Sequence, residues 1–216
     1  SAESDFKPSF ARLLAERAES SCANAAKVAE IIANVQNHGD LALIDYTSRF
    51  DGLELDVASL KLNANAIAEA AAKCPKNTRT ALTLAAARIE DFHRRQLPAD
   101  IDYRDSPGVR IGLRWGALDA AGLYVPGGTA AYPSSVLMNA LPAKAAGVMR
   151  IVMTVPTPGG KLNPAVMAAA EICGIKEIYR LGGAHAVAAL AYGTKSIEAV
   201  DKIVGPGNEW VAEAKR

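Results

Sequence analysis

The N-terminal part of the chain contains apolar residues at helical spacing. Between residues 24 and 37, apolar side chains recur at i, i+3, i+4, i+7 and i+10, at Ala25, Val28, Ala29, Ile32 and Val35. This period predicts a helix with one buried face. A shorter apolar stripe predicts a separate helix over about residues 6–19, and the same period predicts helices over about residues 65–73 and 75–96.

Two turn signals divide this helical region. Gly39 is expected to end the second helix, and Asp40 is expected to cap a third helix that ends by Gly52. The sequence Leu-Lys-Leu at residues 60–62 predicts a short strand. The first hundred residues therefore read as mainly helical.

The pattern then changes to strict alternation. Residues 101–104 and 109–115 alternate polar with apolar side chains, and residues 106–108 read Ser-Pro-Gly between them. Alternation is typical of an antiparallel pair with one face in water and the other face buried. We expect a β-hairpin here.

From residue 118 onward, apolar runs alternate with helical segments. The runs occupy residues 122–125, 151–155, 178–181 and 202–204. Strands that alternate with helices form βαβ units, which build a parallel sheet with helices on both faces. The fold class is therefore α/β, preceded by a mainly helical N-terminal region.

Helix boundaries in this half are well marked. Asn163 is expected to cap a helix whose first residue is Pro164 and which closes at Gly174. Another helix is expected over residues 183–193. Pro142 should kink or divide the helix that opens near residue 134, because proline removes a backbone donor.

Composition narrows the class of protein. The chain has 216 residues, half of them hydrophobic, which is enough for one or two domains with a buried core. Lys plus Arg number 24 and Asp plus Glu number 23, so a net charge of +1 favours neither nucleic acid nor an anionic membrane as a partner. No apolar stretch is long enough to span a bilayer. Three scattered cysteines suggest reduced thiols, and we expect a cytoplasmic protein.

The candidate chemistry lies in four loops that follow the predicted strands. They span residues 126–128, 156–160, 182–183 and 205–208, and each contains glycine. Because parallel strands end at a common edge, where open α/β sheets bind ligands, the loops predict a cofactor or phosphate site. The sequence contains neither G-x-G-x-x-G nor the G-x-x-x-x-G-K-[ST] phosphate loop, so a nucleotide would be held differently.

Three side chains beside these loops could contact a ligand. Tyr124 could stack on a base or be a core tyrosine with a satisfied hydroxyl. His185 could meet a ligand in the first turn of a helix or merely face solvent. Asn208 could cap a helix or hydrogen-bond a ligand through its amide. The histidines, His38, His93 and His185, are scattered, so neither a catalytic triad nor a metal site is indicated.

Long segments of the chain resemble the histidinol dehydrogenase family. The resemblance rests on GLYVPGGTAAYPSSVLMNALPAKAAGV, IYRLGGAHAVAALAYGT and DKIVGPGNEWVAEAKR, and it extends to IIANVQNHGDLALIDYTSRFDG near the N-terminus. It implies an enzyme that oxidises L-histidinol to L-histidine with two NAD, that depends on zinc, and that forms a homodimer.

The resemblance also implies site residues and domains. NAD contacts carry over to Tyr124, His185 and Asn208, and the first loop adds Pro126, Gly127 and Gly128. We expect a helical arm over residues 1–22, a mainly helical partial domain with the hairpin over residues 23–118, and an NAD-binding domain over residues 119–216. This last domain would be an incomplete, Rossmann-like parallel sheet.

The sequence departs from the family in two respects. His185 stands where the family usually has glutamine, and an imidazole that titrates near pH 6.5 would make NAD affinity pH-sensitive. The family's zinc ligands and its Glu-His acid-base pair lie beyond the segment matched by residues 205–216. The chain therefore resembles a truncated or proteolysed enzyme, expected neither to turn over histidinol nor to bind zinc tightly. Two other readings remain open: a related dehydrogenase of another amino or sulfonated alcohol, and a non-catalytic binding or dimerisation module.

Overall fold

The computed structural model describes residues 6–127 and 132–216, with residues 13–23 described by their helical backbone alone. The helices are α1 (Phe6–His38), α2 (Asp40–Asp51), α3 (Ala64–Ala72), α4 (Lys76–Arg94), α5 (Pro133–Ala145), α6 (Pro164–Ile172), α7 (Gly183–Tyr192) and α8 (Glu209–Ala214). The strands are β1 (Ile101–Arg104), β2 (Arg110–Leu113), β3 (Ala120–Tyr124), β4 (Arg150–Thr154), β5 (Glu177–Tyr179) and β6 (Lys202–Val204). No helix in these residues is long and apolar enough to cross a membrane.

The four predicted strands of the second half form one parallel sheet in the order β5-β4-β3-β6. Every residue of β3 is buried, because it lies between two strands and two helical layers. Its sequence is accordingly a continuous run of small and apolar residues rather than an alternating one. The predicted α/β class and parallel sheet are confirmed.

Helices cover both faces of the sheet, and successive strand residues point to opposite layers. Leu123 and Met153 pack in the core formed with α3, α4, α5 and α6. Tyr124 and Val152 pack in the second core, which is formed with α1, α2 and α7. The N-terminal helices thus contribute to both cores of the sheet.

The first two predicted helices are one helix, so their separation was wrong. Helix α1 runs without interruption from Phe6 to His38 and packs against α7 and α8. Residues 20–24 read Ser-Ser-Cys-Ala-Asn and contain neither glycine nor proline. A weak helical stretch without a breaker stays helical when both of its neighbours are helical, because elongation is far easier than nucleation.

Asp40 does not cap α2, contrary to the expectation. The N-cap residue is Gly39, and the buried Asp40 carboxylate accepts hydrogen bonds from the Ser196 hydroxyl at 2.8 Å and from the Ser196 backbone N–H at 3.4 Å. A buried carboxylate must find donors, and here a distant loop supplies them.

Two further predicted features are found, and a third is found only in part. The short strand at residues 60–62 is a single antiparallel bridge beside β5, in which Leu62 N–H donates to the Ile178 carbonyl at 2.8 Å. Asn163 caps α6, and its side chain accepts from two backbone N–H groups. The expected division at Pro142 is wrong, because α5 continues through this residue as one helix.

The hairpin forms as predicted, but neither of its faces is buried among the described residues. Strands β1 and β2 pair with Ile101 opposite Leu113 and Tyr103 opposite Ile111, and all eight strand residues are exposed. These four side chains lie on one face because side chains alternate along a strand. The alternation therefore identified an apolar face, but not what covers it.

Arg150 connects the start of β4 to its neighbours. Its guanidinium donates to the Glu177 carboxylate at 3.1 Å and to the backbone carbonyls of Glu198 and Ala199, both at 3.0 Å. Tyr179 donates to the same carboxylate at 3.0 Å. Burial alone would raise the pKa of Glu177, but the hydrogen bonds from Arg150 and Tyr179 outweigh it and lower the pKa.

This arrangement predicts a loss of stability in acid. A carboxylate whose pKa is lower in the folded state stabilises the fold above its unfolded pKa, near 4.5, and that stability is lost as the pH falls further. Glu177→Gln should lower the free energy of unfolding by about 1–2 kcal/mol at pH 7. Below pH 4.5, the free energy of unfolding of this variant should fall less steeply as the pH decreases. Urea unfolding between pH 7 and pH 3 measures this. The exposed Glu171, changed to Gln, is the control, and an identical acid response in both variants would contradict the prediction.

Candidate functional site

A cavity of about 740 Å³ lies at the carboxyl edge of the parallel sheet. Its walls include residues from all four predicted loops: Pro126 and Gly127 after β3, Pro156 after β4, Gly182 and Gly183 after β5, and Pro206, Gly207 and Asn208 after β6. The convergence of the four loops is therefore confirmed. The volume falls within the range of small-molecule sites, which is roughly 300–1,000 Å³.

Close backbone contacts hold these loops together. A Cβ atom on Gly127 would lie 2.4 Å from the Pro156 carbonyl oxygen, so glycine lets the first two loops touch. A Cβ atom on Gly205, where φ is +119°, would lie 2.1 Å from the Tyr124 carbonyl oxygen. The predicted contact residue Gly128 lies outside the described residues.

Tyr124 is the core tyrosine with a satisfied hydroxyl that the sequence analysis considered, and its stacking on a base stays a prediction. It is a core residue, 5% exposed, and its hydroxyl oxygen accepts a hydrogen bond from the Gly183 N–H at 3.0 Å. It also lines the cavity. Burial raises the pKa of its hydroxyl, and the Asp51 carboxylate adds to that rise although the Gly183 bond opposes it. Tyr124 thereby positions the start of α7 against the sheet.

The first turn of α7 presents backbone donors to the cavity. The Gly183 N–H donates to the Tyr124 hydroxyl oxygen. The N–H groups of Ala184 and His185 have no hydrogen-bond partner in the part of the chain that the structure describes. Both residues line the cavity. Free N–H groups at a helix N-terminus favour a bound anion such as a phosphate.

His185 is buried, at 1% exposure, and does not face solvent. Its ring packs against the rings of Tyr46 and Phe50 of α2, whose centroids lie 5.7 and 6.0 Å away. Its Nε2 lies 3.5 Å from the Thr47 hydroxyl oxygen, and that hydroxyl donates its own hydrogen to the Leu43 carbonyl. Since the Thr47 oxygen can then only accept, Nε2 carries the proton and Nδ1 is a buried acceptor.

Burial also overturns the expected pH response of His185. Removing the imidazolium from water lowers the pKa of His185 to about 4, whereas the expectation assumed titration near pH 6.5. The ring therefore stays neutral from pH 6 to pH 8. Its Nδ1 is a buried acceptor with no partner among the described residues.

Asn208 caps α8 and lines the cavity. Its side-chain oxygen accepts from the Val211 N–H at 3.1 Å. Its amide nitrogen has no partner in the described ranges and remains a donor for a ligand. The capping role and the ligand role are therefore compatible, because they use different atoms.

Several lining residues were missed by sequence reasoning. Phe50 and Asp51 end α2, Tyr132 and Ser135 lie at the start of α5, and Trp210 lies in α8. One signal was available for Asp51. It continues the stripe of Leu43 and Thr47 at spacing i+4, and a carboxylate in the last helical turn is disfavoured by the helix dipole.

The cavity suits a dinucleotide better than a metal. It offers free backbone N–H groups, the amide of Asn208 and aromatic walls. These are groups that meet phosphates, sugar hydroxyls and bases. By contrast, the described residues contain no cluster of three or more His, Cys, Asp or Glu that could hold a metal ion, so they do not fit zinc.

Comparisons with known proteins agree with this geometry. Residues 14–216 match the family model described as histidinol dehydrogenase. The chain is 57% identical over 211 residues to the histidinol dehydrogenase of Gluconobacter oxydans, covering 98% of this chain and 49% of that protein. It is 58% identical over 212 residues to that of Rhodospirillum rubrum, with 98% and 49% covered.

A solved structure gives the same picture. The crystal structure of histidinol dehydrogenase from Elizabethkingia anophelis superposes with a TM-score of 0.84 at 36% identity, and covers 88% of this chain and 44% of that one. The chain therefore spans about half the length of the curated relatives it matches.

Proposed function

The chain belongs to the histidinol dehydrogenase family, and from this we propose that it forms the NAD-binding portion of an enzyme that oxidises L-histidinol to L-histidine with two NAD. The observation that carries the proposal is the cavity of about 740 Å³ at the carboxyl edge of the sheet, where Tyr124, His185 and Asn208 meet. These are the three positions at which the family resemblance expects NAD contacts.

Each part of the cavity has a role in holding the dinucleotide. The backbone N–H groups of Ala184 and His185 bind the pyrophosphate at the start of α7. Tyr124 positions that helix by accepting from Gly183. Asn208 donates from its free amide nitrogen, and His185 contributes its backbone N–H. The loops after β3 and β4, through Pro126, Gly127 and Pro156, form the wall along which the ligand lies.

When bound, NAD supplies the hydride acceptor for oxidation of an alcohol. The residues of this chain bind and orient it, and the apolar walls formed by Ile31, Pro126 and Pro156 exclude water from it. These residues contribute by positioning NAD in the cavity, not by transferring protons.

We place the zinc ligands and the acid-base pair in the part of the relatives that this chain does not match. The described residues provide no metal cluster, and none of the side chains lining the cavity forms a nucleophile-base pair. The 216-residue chain alone should therefore be inactive.

The proposed partners are the substrate L-histidinol and a second copy of the enzyme. Support for the homodimer comes from the exposed apolar face of the hairpin, formed by Ile101, Tyr103, Ile111 and Leu113. Exposed contiguous apolar faces are typical of interaction surfaces. The buried free thiols of Cys74 and Cys173 suit a reducing cytoplasm.

Binding of NAD to the chain tests the proposal. Titrated calorimetrically, NAD should bind the 216-residue chain with one site, and no NADH should form when histidinol is added. Ser135 lines the cavity, and Ser135→Phe should weaken binding at least about tenfold by steric overlap. Ser134→Phe, one position earlier and exposed, is the matched control. Equal affinity in the two variants, or no binding by the unmodified chain, would refute the assignment of the cavity.

A further inference from the structure

The loop between β6 and α8, residues 205–208, is held by very few backbone hydrogen bonds. Among the described residues, no backbone–backbone hydrogen bond involves residues 205, 206 or 207. The loop nevertheless forms one wall of the cavity, through Pro206, Gly207 and Asn208. A loop without backbone hydrogen bonds needs other contacts to keep one conformation, because fixing its backbone costs conformational entropy.

Close packing restrains both ends of this loop. At Gly205 the backbone lies against the Tyr124 carbonyl oxygen, which an added Cβ atom would approach to 2.1 Å. At Gly207 it lies against α8, and an added Cβ atom would approach Cγ1 of Val211 to 2.3 Å. Van der Waals contacts of this kind are not directional, whereas a hydrogen bond is. The packing therefore places the loop but does not by itself orient its polar groups.

Lys215 supplies a directional bond to the loop. It is the C-cap residue of α8, and its ammonium donates to the Gly205 carbonyl oxygen at 2.6 Å. The same nitrogen lies 5.8 Å from the centroid of the Tyr124 ring. A charged donor makes a stronger hydrogen bond than a neutral one, and a cation is attracted to an aromatic face. Lys215 therefore connects the end of α8 to the loop and to the end of β3.

Lys215 differs from an ordinary surface lysine. Its side chain is half-buried, and burial lowers the pKa of its ammonium group. None of the ion pairs among the described residues includes it. Removing an unpaired cation from water costs free energy, which the bond to Gly205 offsets in part. Lys215 does not line the cavity, so it can act on a ligand only through the residues that it holds.

We propose that Lys215 is a positioning residue for the dinucleotide, which holds the 205–208 loop against β3 and so keeps the Asn208 amide directed at the ligand. The inference rests on the proposed function, because it presupposes that Asn208 donates to NAD. Asn208 caps the start of the six-residue helix α8, and Lys215 reaches back from its end to Gly205. Loop and helix thus form one closed unit whose placement sets that of the amide. A displaced donor bonds more weakly, because hydrogen bonds depend steeply on distance and angle.

Calorimetric titration of NAD⁺ into the 216-residue chain and its variants tests the inference. Lys215→Met removes the donor and should weaken NAD⁺ binding at least about fivefold. Lys215→Arg keeps a charged donor and should bind within about threefold of the unmodified chain. Lys195→Met removes the same charge at an exposed position and should match the unmodified chain.

A double-mutant cycle with Asn208 distinguishes positioning from a general effect on the fold. Asn208→Ser keeps a capping oxygen but removes the amide donor, and should weaken NAD⁺ binding about tenfold. Because Lys215 acts through that amide, adding Lys215→Met to Asn208→Ser should weaken binding by less than about twofold more. A lysine that only stabilised the fold would cause its full loss in both backgrounds. If thermal melts show Lys215→Met to be unfolded, Lys215→Gln takes its place in the cycle.

The outcomes separate this inference from the proposed function. If NAD⁺ does not bind the unmodified chain, the proposed function fails and the positioning role fails with it. If NAD⁺ binds, the role of Lys215 alone is overturned by unchanged affinity in Lys215→Met, by an equal loss in Lys195→Met, by a loss in Lys215→Arg as large as that in Lys215→Met, or by a loss that adds in full to that of Asn208→Ser. Non-additive losses together with recovery by arginine support it.

Discussion

Replacing Gly205 with alanine is expected to destabilise the protein by about 4 kcal/mol, combining strain at a disallowed φ with steric overlap. Its φ of +119° is strained for any L side chain. The added Cβ would also lie 2.1 Å from the carbonyl oxygen of Tyr124, a backbone atom at the end of the buried strand β3. Neither partner can move away without breaking the sheet. Urea unfolding followed by circular dichroism measures the loss.

Gly116→Ala provides the matched control for this change. A Cβ atom at Gly116 meets no heavy atom within 4 Å, and its φ lies outside the left-handed range. The free energy of unfolding should change by less than about 0.5 kcal/mol. The Gly205 variant should also lose NAD binding, because residue 205 begins the loop that carries Asn208. Unfolding midpoints that agree between the two variants would show that the loop tolerates a side chain.

Acidification should unfold the protein partly through His185. Its folded pKa, about 4, lies below the ordinary value of 6.5, because burial penalises the charged ring. Between these values the unfolded chain binds a proton that the folded chain does not. The stability contributed by the neutral ring is therefore complete above pH 6.5 and declines as the pH falls toward 4, by about 3 kcal/mol.

His185→Gln should remove this acid response. The unfolding free energy of the variant, measured in urea at pH 7 and at pH 4, should fall about 3 kcal/mol less than that of the unmodified chain. His38→Gln, at an exposed position, is the control and should retain the full response. The same burial predicts equal NAD affinity at pH 6 and pH 8. Identical acid responses in the two variants would mean that the ring is hydrated in solution.

The strand-helix alternation of the second half could be predicted because it is a local property. Apolar runs ending at glycine, and helices bounded by Asn163 and Gly174, follow from backbone conformation and capping over a few residues. Because parallel strands share one edge, the four glycine loops could be placed together before any tertiary contact was known. The cavity then assembled Tyr124, His185 and Asn208 as the family resemblance implied.

Predictions from local patterns were wrong or incomplete where a residue contacts a partner that is distant in sequence. Asp40 resembles a helix cap, but Ser196, 156 positions away, holds its carboxylate. Polar and apolar side chains alternate along the hairpin strands, as in a pair of strands with one buried face. However, no described residue covers the apolar face of the hairpin.

The sequence by itself therefore determined the strand-helix order of the second half, the parallel sheet and the edge at which the cavity lies, since periodicity and glycine turns act over short distances. Only the tertiary structure placed the end of α2 against the start of α7. Thr47 meets His185 Nε2 across 138 positions, and Nδ1 is left as a buried acceptor without a partner among the described residues. The same packing brings Asp51 into the cavity wall. Such pairings depend on how whole surfaces fit together, which no local pattern of residues encodes.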